Sequence, residues 1–241
     1  MKKLVMFMCL LPFLGFAQNA PAMVEMIEVD VKHGHEPAFY KAMADYTACL
    51  KTNNWDGSYD AWWRQQGEGT QINFVRNVNT FADLDKESSD VTKKCQNEHM
   101  PKIMDASTSY HSYLMSPLLD WSAKTPPVGN VVNYMTFDVK NPFEFSALIA
   151  ELTNTVKDME GYNAHWLASK SGAEHEFAVV FFYDNFEAMG EDEFNPWKIY
   201  AEKHGADKLK NIQSKLAASI KNVTEDMYKL DKTISYRPDS N

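Results

Sequence analysis

Tyr59-Asp60-Ala61-Trp62-Trp63 returns about a hundred residues later as Tyr162-Asn163-Ala164-His165-Trp166. Held in that register, Asp30-Val31-Lys32 falls on Asp138-Val139-Lys140, Gly69 on Gly172, Phe74 on Phe177, Thr80-Phe81 on Asn185-Phe186 and Tyr113 on Tyr228. A single match would be chance. An ordered series whose offset drifts only where loops would change length marks a duplicated unit, and one far longer than a solenoid repeat.

Each copy reads as β-α-β-β-α-β. The first strand, near 23–32 and 131–140, is rich in Val, Ile, Met and Phe. Helix one starts near Pro37, and in the second copy at Asn141-Pro142, an N-cap followed by a proline whose missing N–H costs nothing there. Helical spacing then runs through Phe39, Met43, Tyr46 and Leu50, and through Phe145, Leu148, Ile149, Leu152, Val156 and Met159. The Tyr-x-Ala-x-Trp strand follows, and a glycine turn at 67–69 or 171–172 leads into the Phe74 or Phe177 strand. A second helix carries Leu209, Ile212, Leu216 and Ile220 in the second copy, after an insertion at 190–205 that contains Pro196 and Trp197. Last strands near 108–115 and 223–230 complete the copies. Boundaries follow: a leader over 1–17, a first repeat over 22–124, a Pro-rich linker over 125–129 and a second repeat over 130–238.

That order is the ferredoxin-like unit. Two of them in tandem resemble the dimeric α+β-barrel superfamily, which includes antibiotic-biosynthesis-type monooxygenases, NIPSNAP-like proteins and haem-binding chlorite-dismutase-like proteins. The resemblance implies an α+β fold in which both units close one barrel within the chain.

Strand alternation sorts the side chains into two faces. Ile27, Val29, Val31, Tyr59, Ala61, Trp63 and Phe74 share one face with Met135, Phe137, Val139, Tyr162, Ala164, Trp166 and Phe177, the face that helices should cover. The other is polar, with Glu28, Asp30, Asp60, Trp62, Arg64 and Asn73 in one copy and Tyr134, Thr136, Asp138, Asn163, His165 and Glu176 in the other. In the superfamily this face lines the barrel lumen, where a few convergent polar groups would hold a small molecule. Glu28, Asp30, Trp62, Arg64, Tyr134, His165 and Glu176 are the expected ligand-binding residues. Acidic groups beside Trp62 and Tyr134 suit an aromatic or cationic ligand. Glu28, Trp62 and Arg64 fall on Thr136, His165 and Leu167, so one asymmetric pocket is expected rather than two equal sites.

His165 is the best catalytic candidate, since imidazole titrates near neutrality. The resemblance offers two activities beside simple binding. One is a cofactor-free monooxygenase or isomerase using His165 with Arg64 or Glu176. The other is a haem protein with His165, His175 or His204 as axial ligand; no cofactor is otherwise expected. Alternation turns His175 away from the face of Glu176. A further reading is an interaction module docking through a sheet edge or through Trp197. His33-Gly34-His35-Glu36 lacks a third ligand and reads as a solvated loop, so no metal is expected. Sequence signatures of serine hydrolases, zincins and nucleotide-binding loops are missing.

With 44% apolar and 24% charged residues the 241-residue chain has globular composition. A net charge of −9 disfavours nucleic acid as a partner and leaves an oligomer open. Met1-Lys2-Lys3, an apolar run from Leu4 to Ala17 and the polar Gln18-Asn19 read as a secretory leader too short to span a bilayer, so the chain is expected to be exported to the periplasm or beyond. Cys49 and Cys95 fall in helices on one side of a sheet. They could pair, but two buried thiols behaving as small apolar side chains are the preferred reading.

Overall fold

The strand faces read from alternation divide the protein into three apolar clusters, and the barrel follows from them. A computed structural model describes residues 23–125 and 127–238; the leader expected over 1–17 lies outside the described residues. The first unit is β1 (Met23–Val31), α1 (Glu36–Thr52), β2 (Asp60–Arg64), β3 (Thr70–Val78), α2 (Asp90–Asp105) and β4 (Ser107–Pro117). The second is β5 (Val131–Val139), α3 (Pro142–Val156), β6 (Ala164–Ser171), β7 (Phe177–Tyr183), the insertion helices α4 (Phe186–Gly190) and α5 (Pro196–His204), then α6 (Ala206–Ser219) and β8 (Ile220–Leu230). The strands close in the order β1-β3-β2-β8-β5-β7-β6-β4, so each ferredoxin-like unit forms half the wall. Two antiparallel seams join the halves: β2 to β8, with Trp62 opposite Leu230 and Arg64 opposite Tyr228, and β4 to β6, with Leu114 opposite Ser171 and Pro117 opposite Leu167.

Helix starts follow local chemistry. The Asn141 side chain accepts from the Phe143 and Glu144 N–H groups with Pro142 in the first turn, and the Asn195 side chain accepts from the Lys198 N–H, with Pro196 in the first turn of α5. Between α1, α2 and the sheet lie Val29, Val31, Phe39, Met43, Leu50, Ala61, Ile72 and Cys95. Between α3, α5, α6 and the other half lie Phe137, Val139, Phe145, Ile149, Trp166, Phe177, Tyr200 and Ile212. Met159, counted with the α3 stripe, falls beyond the helix end and is exposed. The aromatic strand residues shared by the two copies therefore pack under helices, where burying each large ring contributes most to stability.

Three expectations are corrected. Cys49 and Cys95 form a disulfide across α1 and α2, with their Cα atoms 5.8 Å apart, instead of remaining thiols. Among the described residues barrel closure leaves no open sheet edge, and Trp197 in the insertion packs against the second core beside the fully buried Tyr200. Beyond β8 the chain returns to the first unit: Ile234 and Tyr236 enter its core, Tyr236 pairs with Tyr59, and Arg237 meets Asp60.

Candidate functional site

Even-numbered residues of β1, β2 and β5 point into the barrel, as the polar alternation required, but the lumen they line is mixed. Its middle is packed by Met26, Trp62, Tyr113, Met115, Val132, Tyr134, Leu167, Ala178, Val180 and Tyr228. The polar face expected from Glu28 to Glu176 leaves out Met26 and Val132, which point inward from β1 and β5. The strands β4, β7 and β8 supply the apolar remainder through Tyr113, Met115, Ala178, Val180 and Tyr228.

Polar groups gather toward the end where β1 finishes, here the upper mouth. Glu28 accepts a 2.7 Å hydrogen bond from the Tyr113 hydroxyl, which lies 3.5 Å from the Tyr134 hydroxyl. Tyr134 in turn lies 3.3 Å from His175 Nε2, so four titratable groups form one chain across the lumen. Burial raises the Glu28 carboxyl above its ordinary range despite the Tyr113 hydrogen bond, and burial lowers the His175 imidazole. His175 faces the lumen, edge-on to Tyr113 and Tyr134, contrary to the alternation argument. Residues 172–176 form the β6–β7 turn, where period-two alternation does not hold. At the head of that turn Gly172 has φ +82°, and a Cβ there would lie 2.8 Å from the Ser112 carbonyl oxygen. Its own carbonyl accepts 2.7 Å from His111 Nε2–H.

The rest of this rim is engaged within the protein. Asp30 accepts from Ser109 and Gln71, Gln71 accepts from Tyr228 and Arg64, and Arg64 also donates to the Glu68 carbonyl. Glu176 accepts the Val139 N–H at 2.8 Å, and Asp138 pairs with Lys221. Glu28 and Asp30 thus accept from neutral hydroxyl and amide donors, whereas Asp138 has a cationic partner.

His165 stands toward the opposite, lower mouth, so the structure does not bring it to Arg64 or Glu176. Its ring meets Phe182 edge-on at 5.5 Å, and Phe182 meets Trp62 edge-on at 6.2 Å. Burial alone holds the imidazole down to about 4, so at neutral pH it is uncharged and offers a lone pair. Below this row opens a cleft of about 620 Å³, lined by Trp62, Phe182, Leu230, Asn130, the linker at 127–129 and the returning C-terminal segment. A second groove of about 760 Å³ runs along the β2–β8 seam past Trp63, Arg64 and Lys229. Sequence reasoning missed the cleft because part of its wall comes from the linker and from residues 232–237, which lie beyond β8 and outside the strand alternation.

The low affinity of His165 for protons makes the fold acid-sensitive. Unfolded, the side chain titrates near 6.5; folded, near 4, so its contribution is present above 6.5 and is lost as pH falls through that window. With part of the ring open to solvent, about 2 kcal/mol of stability should be lost between pH 7 and 4. Urea denaturation at the two pH values should show this loss, and His165→Gln should remove it.

The residues present do not fit a haem. The middle of the lumen is filled, and the three histidines that could ligate it are placed elsewhere: His165 against Phe182, His175 on Tyr134, and His204 outside the barrel, 3.1 Å from Thr155 and against Tyr200. His33 and His35 lie exposed in the β1–α1 loop. Among the described residues no helix is long and apolar enough to cross a membrane.

No family model and no curated protein matches the sequence. Solved structures do resemble it. A candidate monooxygenase from Fusobacterium nucleatum is 15% identical with a TM-score of 0.56, over 88% of this chain and 93% of that one. One from Lactobacillus acidophilus is 10% identical with a TM-score of 0.52, over 90% of this chain and 99% of its own. An anthrone oxidase-like protein is 11% identical with a TM-score of 0.52, over 87% and 92%. At such identities the likeness is one of fold: two tandem ferredoxin-like units close into one α+β barrel.

Proposed function

We propose that this is an exported protein that binds a small, planar organic molecule at the lower mouth of the barrel, seated against Trp62 and Phe182 with a hydroxyl or N–H donating to His165. The observation that carries the reading is an uncharged imidazole set edge-on behind Phe182, the ring that together with Trp62 lines a cleft of about 620 Å³. With a folded value of about 4, His165 is too weak a base to hold a substrate proton at neutral pH, which favours recognition over catalysis at this residue. Export is supported by the Cys49–Cys95 cystine, which an oxidising compartment would maintain, together with the leader-like residues 1–17.

The test is a matched pair of probes, 1-naphthol and naphthalene, titrated by calorimetry. Wild type should bind the naphthol about tenfold more tightly, the worth of one good hydrogen bond, and His165→Leu should erase the difference. Equal affinities in wild type, or a difference that survives His165→Leu, would overturn the reading. The preference should also fade as pH falls below 4, where His165 takes a proton.

A second reading, cofactor-free oxygenation, is favoured by the chain from Glu28 through Tyr113 and Tyr134 to His175, and by the likeness of fold to a candidate monooxygenase and an anthrone oxidase-like protein. In such a reaction an anthrone CH₂ and dioxygen give the anthraquinone carbonyl and water, after a base removes the activated proton. Neutral His175 is the candidate base, with the tyrosines relaying toward Glu28. Wild type should accelerate anthraquinone formation and dioxygen uptake from an anthrone, and His175→Gln should cut the rate on the order of a hundredfold or more. No acceleration by wild type would remove this reading and leave the binding proposal standing.

A further inference from the structure

We propose that the α1–α2 cystine is also a latent metal site: once reduced, Cys49 and Cys95 join His99 and Glu98 to hold one divalent cation of the Zn²⁺ type. Cys95, Glu98 and His99 stand at i, i+3 and i+4 on α2, so they share one helix face, and the disulfide fixes Cys49 of α1 directly opposite. The Cys49 sulfur, a Glu98 carboxylate oxygen and a His99 ring nitrogen lie within 4.8 Å of one another. Donors on a tetrahedral zinc ion stand about 3.4–3.8 Å apart, so the set needs only side-chain rotation to converge.

A separate observation points to a ligand there. His99 is 7% exposed and its Nδ1 has no hydrogen-bond partner, an uncommon state for a buried polar atom. Its Nε2 is 3.7 Å from Glu98, which is itself largely exposed and free to swing. One buried nitrogen, one mobile carboxylate and two potential thiolates make an S₂NO donor set suited to a borderline cation rather than to Mg²⁺ or Ca²⁺.

The chemistry is gated by redox state. In the oxidised protein both sulfurs are spent in the S–S bond, and a nitrogen and an oxygen alone make a poor site. A dithiol passes two electrons to that bond, which breaks to two thiols while the dithiol closes to its own disulfide. The cation then displaces the two thiol protons to solvent and takes over the tie between α1 and α2. The same two helices are therefore linked covalently under oxidising conditions and through a metal under reducing ones.

Co²⁺ is the probe, because tetrahedral thiolate coordination gives intense visible ligand-field bands and near-ultraviolet charge transfer. Full-length mature protein would be reduced with a dithiol, freed of it without air and titrated, with circular dichroism recorded in parallel. The reduced protein should take up one Co²⁺ per chain with the thiolate signature, and the oxidised protein should show none. Glu98→Gln lies on an exposed side chain and will fold; it should weaken binding at least tenfold, while His99→Gln should change the spectrum as well as the affinity. The proposal fails if oxidised and reduced protein bind alike, if His99→Gln leaves the spectrum unaltered, or if reduction unfolds the protein and Co²⁺ does not restore it.

Discussion

With Cys49 and Cys95 both replaced by alanine, the protein should lose about 4 kcal/mol of stability. The residues are 46 positions apart, and closing a loop of that length removes roughly that much conformational freedom from the unfolded chain. Cys95 is fully buried between α1 and α2, and alanine in its place leaves only a small void, so the effect should arise mainly in the unfolded state. For a chain of this size the midpoint should fall by on the order of 10 °C. Thermal scans on the oxidised wild type and the double variant measure it, and a change below 1 kcal/mol would mean that α1 and α2 stay docked in the unfolded ensemble.

Phe145→Ala should cost about as much, 3–5 kcal/mol, for a different reason. The ring is completely buried, stacked on Phe177 at 4.9 Å and packed against Phe137 and Trp166 at 5.3 and 6.5 Å. Those neighbours belong to three strands of one sheet and cannot all collapse into the space, so the cavity persists and its cost adds to the lost transfer energy. Phe143, two residues earlier and 89% exposed, supplies the internal comparison: Phe143→Ala should change stability by less than about 0.5 kcal/mol. Urea denaturation of both variants tests the contrast, and similar losses would mean that α3 does not present the face described.

Repetition and alternation carried the fold because both are local. Asn141-Pro142 announces a helix within four residues, and Tyr113 and Tyr228, matched by register alone, both reach the lumen cluster. What alternation could not supply was position along the barrel axis. Glu28, Arg64 and His165 were correctly turned inward from their own strands, yet strand pairing sends Arg64 and His165 toward opposite mouths. His175 was misplaced because it sits in a turn, and there only φ/ψ angles settle direction. The pairing of Cys49 with Cys95 was open in the sequence, but the approach of Glu98 and His99 to that pair escaped notice for a related reason. Ligand-spacing rules inspect one segment at a time, whereas Cys49 comes from α1 and Cys95, Glu98 and His99 from α2. The one local signal available was the i, i+3, i+4 set on α2.

The returning C-terminal segment has a consequence for how the protein is made. Ile234 is fully buried in the core of the first unit, where its carbonyl accepts from Thr47, and the Tyr236 hydroxyl donates to the Trp55 carbonyl. A ribosome delivers Ile234 more than 150 residues after the helix it must pack on, so the first unit emerges lacking a piece of its own interior. That half cannot complete its packing until Ile234 has been made, so the folding of the first unit waits on synthesis of the second.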